Sequence, residues 1–278
     1  MTANGKADKA TAVNTFYLQA DGHRLRARTI IPAGKSLQET ATLVFLHEGL
    51  GCIDLWRDFP ETLSRSAGLP CLVYDRYGSG GSEALRGPRN GVHFLREADV
   101  VLPEILAGCG IDRPILIGHS DGGSIALHYA ASYPDSPAGV IAEAAHVFAE
   151  DLTLNSIRKA VTAFEGGDLL EKLARYHGEQ TDSMFHGWAD NWLLPENVSW
   201  NMESVLPGIT CPTLVIQGEN DEYGTMAQVN AIVTAVSGRV ESLIIPGCGH
   251  VPHQQAREVT LNGMAVFIRS LLKQVQTD

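Results

Sequence analysis

The sequence lacks long apolar runs, an excess of basic residues and any regular spacing of cysteines. Without a run of about 18 apolar residues, no segment is predicted to cross a membrane. Lysine and arginine total 21 against 32 aspartates and glutamates, a net charge of −11 that argues against nucleic acid or an anionic membrane as partner. The cysteines are odd in number and lack metal-ligand spacing, which predicts reduced thiols and a cytoplasmic location. They are Cys52, Cys71, Cys109, Cys211 and Cys248.

The chain also lacks internal repeats, low-complexity tracts and an apolar N-terminal segment. Residues 1–13 are polar and alanine-rich, so we expect a flexible leader rather than a secretory signal. A length of 278 residues with 44% hydrophobic and 19% charged residues allows a large core and is typical of a soluble enzyme. The composition does not decide between a monomer and a homodimer.

Short apolar runs alternate with helical patterns from Thr42 onward. Such alternation predicts an α/β fold, in which a mostly parallel sheet carries helices on both faces. Residues 14–20 and 23–31, joined by Asp21-Gly22, predict an antiparallel hairpin at the edge. Further strands are predicted over 42–46, 70–74, 138–142, 212–217 and 240–245, and helices over 55–67, 94–109, 124–132, 226–236 and 254–273.

The alternation stops between His146 and Pro207, where the sequence is helical in tendency and rich in aromatic residues. An insertion after the carboxyl end of a strand lies over that edge of the sheet, where ligands bind. We therefore predict a core of residues 14–145 and 208–275 and a helical cap of residues 146–207.

A Gly-x-Ser-x-Gly turn centred on Ser120 joins an apolar strand to a helix. Such a turn holds the serine in a strained conformation and presents its hydroxyl above the sheet. A serine hydroxyl becomes a good nucleophile when a base removes its proton and an acid orients that base.

Two later strands end in residues of the required types. Since the acid precedes the base in chain order on such sheets, we predict Asp221 as acid and His250 as base. Glu143, Glu219 and Glu222 stay open as acids and His253 as base. His47 and His119 adjoin glycine turns and are interpreted as supporting residues.

The oxyanion formed by attack on a carbonyl needs two N–H donors. The backbone N–H of Asp121 is predicted as one, because it begins a helix whose dipole favours negative charge. The other is predicted in the loop after the strand over 42–46, with Gly49 preferred and Leu50 second.

Together these motifs resemble the α/β-hydrolase superfamily over about residues 14–275. The matching segments are 47–51 (an oxyanion loop), 74–82 (a Gly/Ser loop), 118–122, 218–221 and 247–250. The resemblance implies an eight-stranded sheet, a helical cap and no cofactor or metal. Within the superfamily the chain resembles capped serine hydrolases such as esterases, prolyl aminopeptidases and hydrolases of ring-fission products.

The resemblance implies a serine hydrolase that cleaves an ester-like bond of a small, largely apolar substrate through an acyl-enzyme. Lactone hydrolysis, carbon–carbon hydrolysis, cofactor-free oxygenase or lyase chemistry and a non-catalytic receptor stay open. The predicted substrate-binding residues are Glu48, Leu50, His146, Trp188 and Trp192, with His177 and His186 also expected nearby. Glu48 departs from the family, which has glycine there. We favour a supporting or solvated carboxylate over one that faces substrate, because a charge beside the oxyanion is costly.

Overall fold

An antiparallel hairpin, β1 (Ala12–Ala20) and β2 (His23–Ile31), opens the sheet. Asp21 and Gly22 both have positive φ angles, 52° and 73°, as a two-residue hairpin turn requires. The structure is a computed structural model that describes residues 11–38, 41–89 and 93–274. Ala12 and Val13 of the predicted leader belong to β1, so that prediction is wrong for them, while residues 1–10 lie outside the described residues.

Eight strands form one sheet in the order β1-β2-β4-β3-β5-β6-β7-β8. Strands β3 to β8 run parallel, and the hairpin joins them through an antiparallel pairing of β2 with β4. The predicted eight-stranded, mostly parallel sheet is therefore confirmed. The other strands are β3 (Thr42–Leu46), β4 (Cys71–Tyr74), β5 (Pro114–His119), β6 (Gly139–Glu143), β7 (Thr213–Gly218) and β8 (Val240–Ile245).

Helices cover both faces of the sheet, and the strands alternate between them. In β3, Val44 and Leu46 belong to one apolar cluster, whereas Leu43 and Phe45 belong to the other. This period of two follows from strand geometry. The helices are α1 (Phe59–Ala67), α2 (His93–Arg96), α3 (Leu102–Cys109), α4 (Asp121–Ser132), α5 (Asp151–Gly166), α6 (Leu169–His177), α7 (Thr181–Leu193), α8 (Met226–Ala235), α9 (Pro252–Gln255) and α10 (Arg257–Gln274).

Three predicted helices are interrupted. A 3₁₀ turn (Ile53–Trp56) precedes α1, and Arg57 between them has a left-handed φ of 55° that a continuous helix does not allow. A π-helical segment (Glu97–Val101) separates α2 from α3. Ala256, with φ −133°, separates α9 from α10.

The segment between β6 and β7 is helical, as predicted, and contains α5, α6 and α7. Two 3₁₀ turns, Gly178–Gln180 and Glu203–Gly208, complete it. The rings of Phe164 and Phe185 stack at 3.8 Å and join α5 to α7. The boundaries of the predicted cap, 146 and 207, stay a prediction. Among the described residues, no helix is long and apolar enough to cross a membrane.

Candidate active site

Ser120 lies at the turn between β5 and α4 with φ 52° and ψ −118°. This strained conformation is rare for a residue with a side chain, and the surrounding structure must hold it in place. The two flanking glycines are required sterically. A Cβ on Gly118 would lie 2.1 Å from the carbonyl oxygen of Gly122, and one on Gly122 would lie 2.0 Å from that of Leu46.

The structure brings Ser120, His250 and Asp221 together. Ser120 Oγ lies 2.9 Å from His250 Nε2, and His250 Nδ1 lies 2.9 Å from both carboxylate oxygens of Asp221. All three residues are buried. Because the carboxylate accepts from Nδ1–H, Nε2 is left to accept the serine proton.

Asp221 is held by donors from its own loop and from β7. The backbone N–H groups of Tyr223 and Gly224 donate to Oδ1 at 2.7 and 3.2 Å, and Gln217 Nε2 donates to Oδ2 at 2.6 Å. Burial opposes ionisation, but the hydrogen bonds from His250 and Tyr223 keep the pKa of Asp221 below its ordinary value. These contacts favour the ionised form of Asp221.

None of the other candidate acids contacts the His250 ring. Glu143 accepts from the backbone N–H of His253 at 2.6 Å and lies 3.0 Å from its Nδ1. Glu222 accepts from the backbone N–H of His250, and Glu219 from that of Gly247. His253, the alternative base, is thus engaged with Glu143 instead of the serine.

His119 and His47 hydrogen-bond to the loops around the site. His119 Nε2 donates to the carbonyl oxygen of His250 at 2.7 Å, and its Nδ1 lies 3.4 Å from Glu48 Oε2. Burial disfavours the charge on His119, but Glu48 and Glu143 raise its pKa to about 9. His47 Nε2 accepts from the backbone N–H of Arg76, and burial with the charge of Arg76 lowers its pKa to about 3.

Gly49 and Asp121 line the same cavity as Ser120. A Cβ on Gly49 would lie 2.1 Å from the indole of Trp188, so only glycine lets α7 approach this loop. Asp121 begins α4, and its carboxylate accepts from Trp192 Nε1 at 3.2 Å and lies 3.5 Å from Arg76 Nη2. Their role as oxyanion donors stays a prediction.

The cavity above Ser120 measures about 190 Å³, below the range of drug-sized ligand sites. The predicted residues Glu48, Leu50, His146, Trp188 and Trp192 all line it. Sequence reasoning missed further lining residues, of which Tyr223 also lies against the His250 ring at 4.6 Å. Glu222, Tyr223 and Val251 could have been predicted, because they lie within two residues of Asp221 or His250 in the sequence. The additional lining residues are His119, Thr153, Ile157, Glu222, Tyr223 and Val251.

His177 and His186, expected near the cavity, do not line it. His177 Nδ1 accepts from the backbone N–H of Gly80, and its Nε2 donates to the carbonyl oxygen of Leu50, so it holds loops behind the site. His186 is on the exposed side of α7 beside Asp190. Helical spacing places residues 186 and 188 on different faces.

His146 lines the cavity, and no residue in the described part of the chain is a hydrogen-bond partner of its buried Nδ1. Burial and the neighbouring His250 lower its pKa to about 4, so it is neutral at neutral pH. Over residues 11–38, 41–89 and 93–274, no group of three or more histidine, cysteine or acidic side chains is arranged to hold a metal ion.

The sequence model of the alpha/beta hydrolase family matches residues 43–261, so the chain belongs to that family. It is 41% identical over 88 residues to 2-succinyl-6-hydroxy-2,4-cyclohexadiene-1-carboxylate synthase of Photorhabdus laumondii, covering 32% of this chain and 29% of that protein. It is 34% identical over 110 residues to proline iminopeptidase of Thermoplasma volcanium, covering 38% and 35% respectively. The matches span about a third of each of these curated relatives.

Among solved structures, 2-hydroxy-6-oxo-6-phenylhexa-2,4-dienoate hydrolase of Rhodococcus sp. strain RHA1 is similar with a TM-score of 0.73. The alignment covers 94% of this chain and all of that one, at 14% sequence identity. At this identity the likeness establishes the shared fold.

Proposed function

We propose that this protein is a serine hydrolase that cleaves an ester-like bond of a small substrate. The observation that carries the proposal is the 2.9 Å contact of Ser120 Oγ with His250 Nε2, on a ring oriented by Asp221. A serine, a histidine and a carboxylate in this geometry form the relay of acyl-transfer enzymes on several unrelated folds. The cavity is small, and its apolar lining residues support a small, largely apolar substrate. They are Leu50, Ile157, Trp188, Trp192 and Val251.

The reaction proceeds in two steps. His250 takes the Ser120 proton as the oxygen attacks the carbonyl carbon, and the backbone N–H groups of Gly49 and Asp121 stabilise the oxyanion. His250 then protonates the leaving alcohol, which leaves an acyl group on Ser120. Water, deprotonated by His250, attacks the acyl-enzyme and releases the acid.

The test is substitution Ser120→Ala. It removes the attacking oxygen with little change in volume, so we expect hydrolysis of short p-nitrophenyl esters to fall at least about a thousandfold. Labelling by a fluorophosphonate probe should also disappear. Ester hydrolysis that persists in a folded Ser120→Ala protein would contradict the proposal.

The matched control is Ser132→Ala, in the same helix. Its hydroxyl donates to Asp99 and is remote from the cavity, so activity and labelling should stay at the wild-type level. The wild-type protein should also be assayed with lactones and with vinylogous diketones. Comparison of these rates with those for the p-nitrophenyl esters separates lactonase and carbon–carbon hydrolase activity from ester hydrolysis.

A further inference from the structure

The wall of the cavity above Ser120 carries several carboxylates. Glu48, Asp121 and Glu222 line it, and no lysine or arginine in the described part of the chain does so. The chain as a whole is also acidic, with a net charge of −11. His119 also lines it and, with a pKa of about 9, carries a positive charge, but the three carboxylates outnumber it. An excess of negative charge in a cavity attracts a cation.

Two of these carboxylates already have partners. Asp121 accepts from Trp192 and faces Arg76, and Glu222 accepts from the backbone N–H of His250. Glu48 differs, because only Oε2 has a side-chain contact, the 3.4 Å approach of His119. For Oε1 the described residues provide no hydrogen-bond partner, and the side chain is 26% exposed in the cavity wall.

The Glu48 side chain packs against its own loop, residues 48–51. The backbone N–H of Gly51 donates to the Glu48 carbonyl oxygen at 3.1 Å, which closes a turn. A Cβ on Gly51 would lie 2.4 Å from Glu48 Oε2, so the carboxylate rests directly over the glycine. His119 approaches Oε2 of Glu48, and Oε1 is the oxygen left to pair with a ligand.

Aromatic rings complete the wall of the cavity. Trp188, Trp192 and Tyr223 line it together with Glu48. Rings of this kind attract cations through their π faces, and aromatic walls are the usual device for binding quaternary ammonium groups. The rings and the carboxylate therefore favour the same kind of ligand group.

We propose that Glu48 is a specificity-determining residue that binds a compact cationic group, a protonated amine or a quaternary ammonium, on the substrate of Ser120. This rests on the proposed function and deepens it. The apolar ring surface accommodates the alkyl part of such a group, and Glu48 pairs with its charge. The sequence alone favoured a supporting role for Glu48.

The experiment measures equilibrium binding to the Ser120→Ala protein, which does not turn over its ligand. The two probes are acetylcholine and 3,3-dimethylbutyl acetate, which have the same shape but differ in charge. We expect acetylcholine to bind about tenfold more tightly or better, and the Glu48→Gln substitution in that background to bring the ratio close to one.

Two further variants, each in the Ser120→Ala background, sharpen the test. Glu219→Gln removes the same charge from a carboxylate that accepts from the backbone N–H of Gly247 and does not line the cavity, so the ratio should stay high. Gly51→Ala keeps the charge but places a Cβ 2.4 Å from Glu48 Oε2, which forces the carboxylate out of its position, so the ratio should fall even if Glu48→Gln fails to fold.

Equal affinity for the two probes, tighter binding of the neutral one or no binding of either would overturn the inference. A preference that survives both Glu48→Gln and Gly51→Ala would also overturn it. Failure of the proposed function is a different result, namely wild-type protein that hydrolyses no ester and does not react with the fluorophosphonate.

Discussion

Two histidine–carboxylate pairs lie side by side at the carboxyl edge of the sheet, and His119 lies between them. Its ring is 5.2 Å from that of His250 and 4.9 Å from that of His253. Only His250 has a serine within hydrogen-bond distance. The second pair, Glu143 with His253, is fully buried and ties the start of α9 to the end of β6.

This difference predicts unequal effects of removing the two carboxylate charges. Asp221→Asn leaves the shape intact but favours the wrong tautomer of His250, so kcat should fall on the order of 10⁴-fold. Glu143→Gln should lower kcat less than about tenfold, since Glu143 does not contact the His250 ring. Steady-state kinetics on a p-nitrophenyl ester checks both.

Thermal denaturation of both variants first establishes that each is folded at the assay temperature, because breaking a buried ion pair is destabilising. If Glu143→Gln were the more damaging change, the assignment of Asp221 as the orienting acid would be wrong.

The sequence predicts that Ser120, Asp221 and His250 lie together, but it does not predict all of the side chains that hydrogen-bond around them. Ser120, Asp221 and His250 are identified because each follows a strand whose carboxyl end lies on one edge of the sheet. The pairing of Glu143 with His253 depends on how β6 and α9 approach each other, which chain order does not specify. The same holds for Gln217, whose amide reaches Asp221 from inside β7.

The strand-to-turn-to-helix element around Ser120 depends on backbone contacts that leave no room for a side chain. Gly122→Ala would place its Cβ 2.0 Å from a carbonyl oxygen of β3. Because neither backbone can move without disturbing the sheet, we expect the free energy of unfolding to fall by about 3 kcal/mol. Urea denaturation followed by circular dichroism measures the change.

Gly108→Ala in α3 is the control, since nothing lies within 4 Å of its added Cβ. A helical position of this kind should become more stable by up to about 1 kcal/mol. Equal losses at both positions would indicate that the contact at Gly122 is not the cause.

Strands are predicted more accurately than helix boundaries. The run over 240–245 matches β8, because clear turn residues bound this strand. The helical pattern is visible only over 124–132, because the glycines that flank Ser120 conceal it before residue 124, although α4 begins at Asp121. The π-helical segment (Glu97–Val101) has no hydrophobic period that distinguishes it from an α-helix.

Buried histidines make the stability of the whole molecule depend on pH. The pKa of His119 is raised from 6.5 to about 9, so its contribution is complete below pH 6.5 and is lost as the pH rises through about 9. His47 and His146 have lowered pKa values, so their effect has the opposite sign and stability falls as the pH drops below 6.5.

The substitution Glu48→Gln tests the predicted loss of stability at alkaline pH. Removing the carboxylate lowers the pKa of His119 toward its ordinary value, so unfolding free energy should change less between pH 6.5 and 9 than in wild type. The difference is at most about 3 kcal/mol. Urea denaturation at the two pH values measures it, and parallel pH profiles for the two proteins would contradict the assignment.

The contact between Glu48 and Gly51 restricts the order in which these two positions can change during evolution. A side chain gained at position 51 while glutamate remains at 48 collides with the carboxylate, so that intermediate is penalised. Shortening residue 48 first removes the three atoms that lie nearest to a new side chain at position 51. The two positions should therefore show epistasis, with the acid tolerated only in a glycine background.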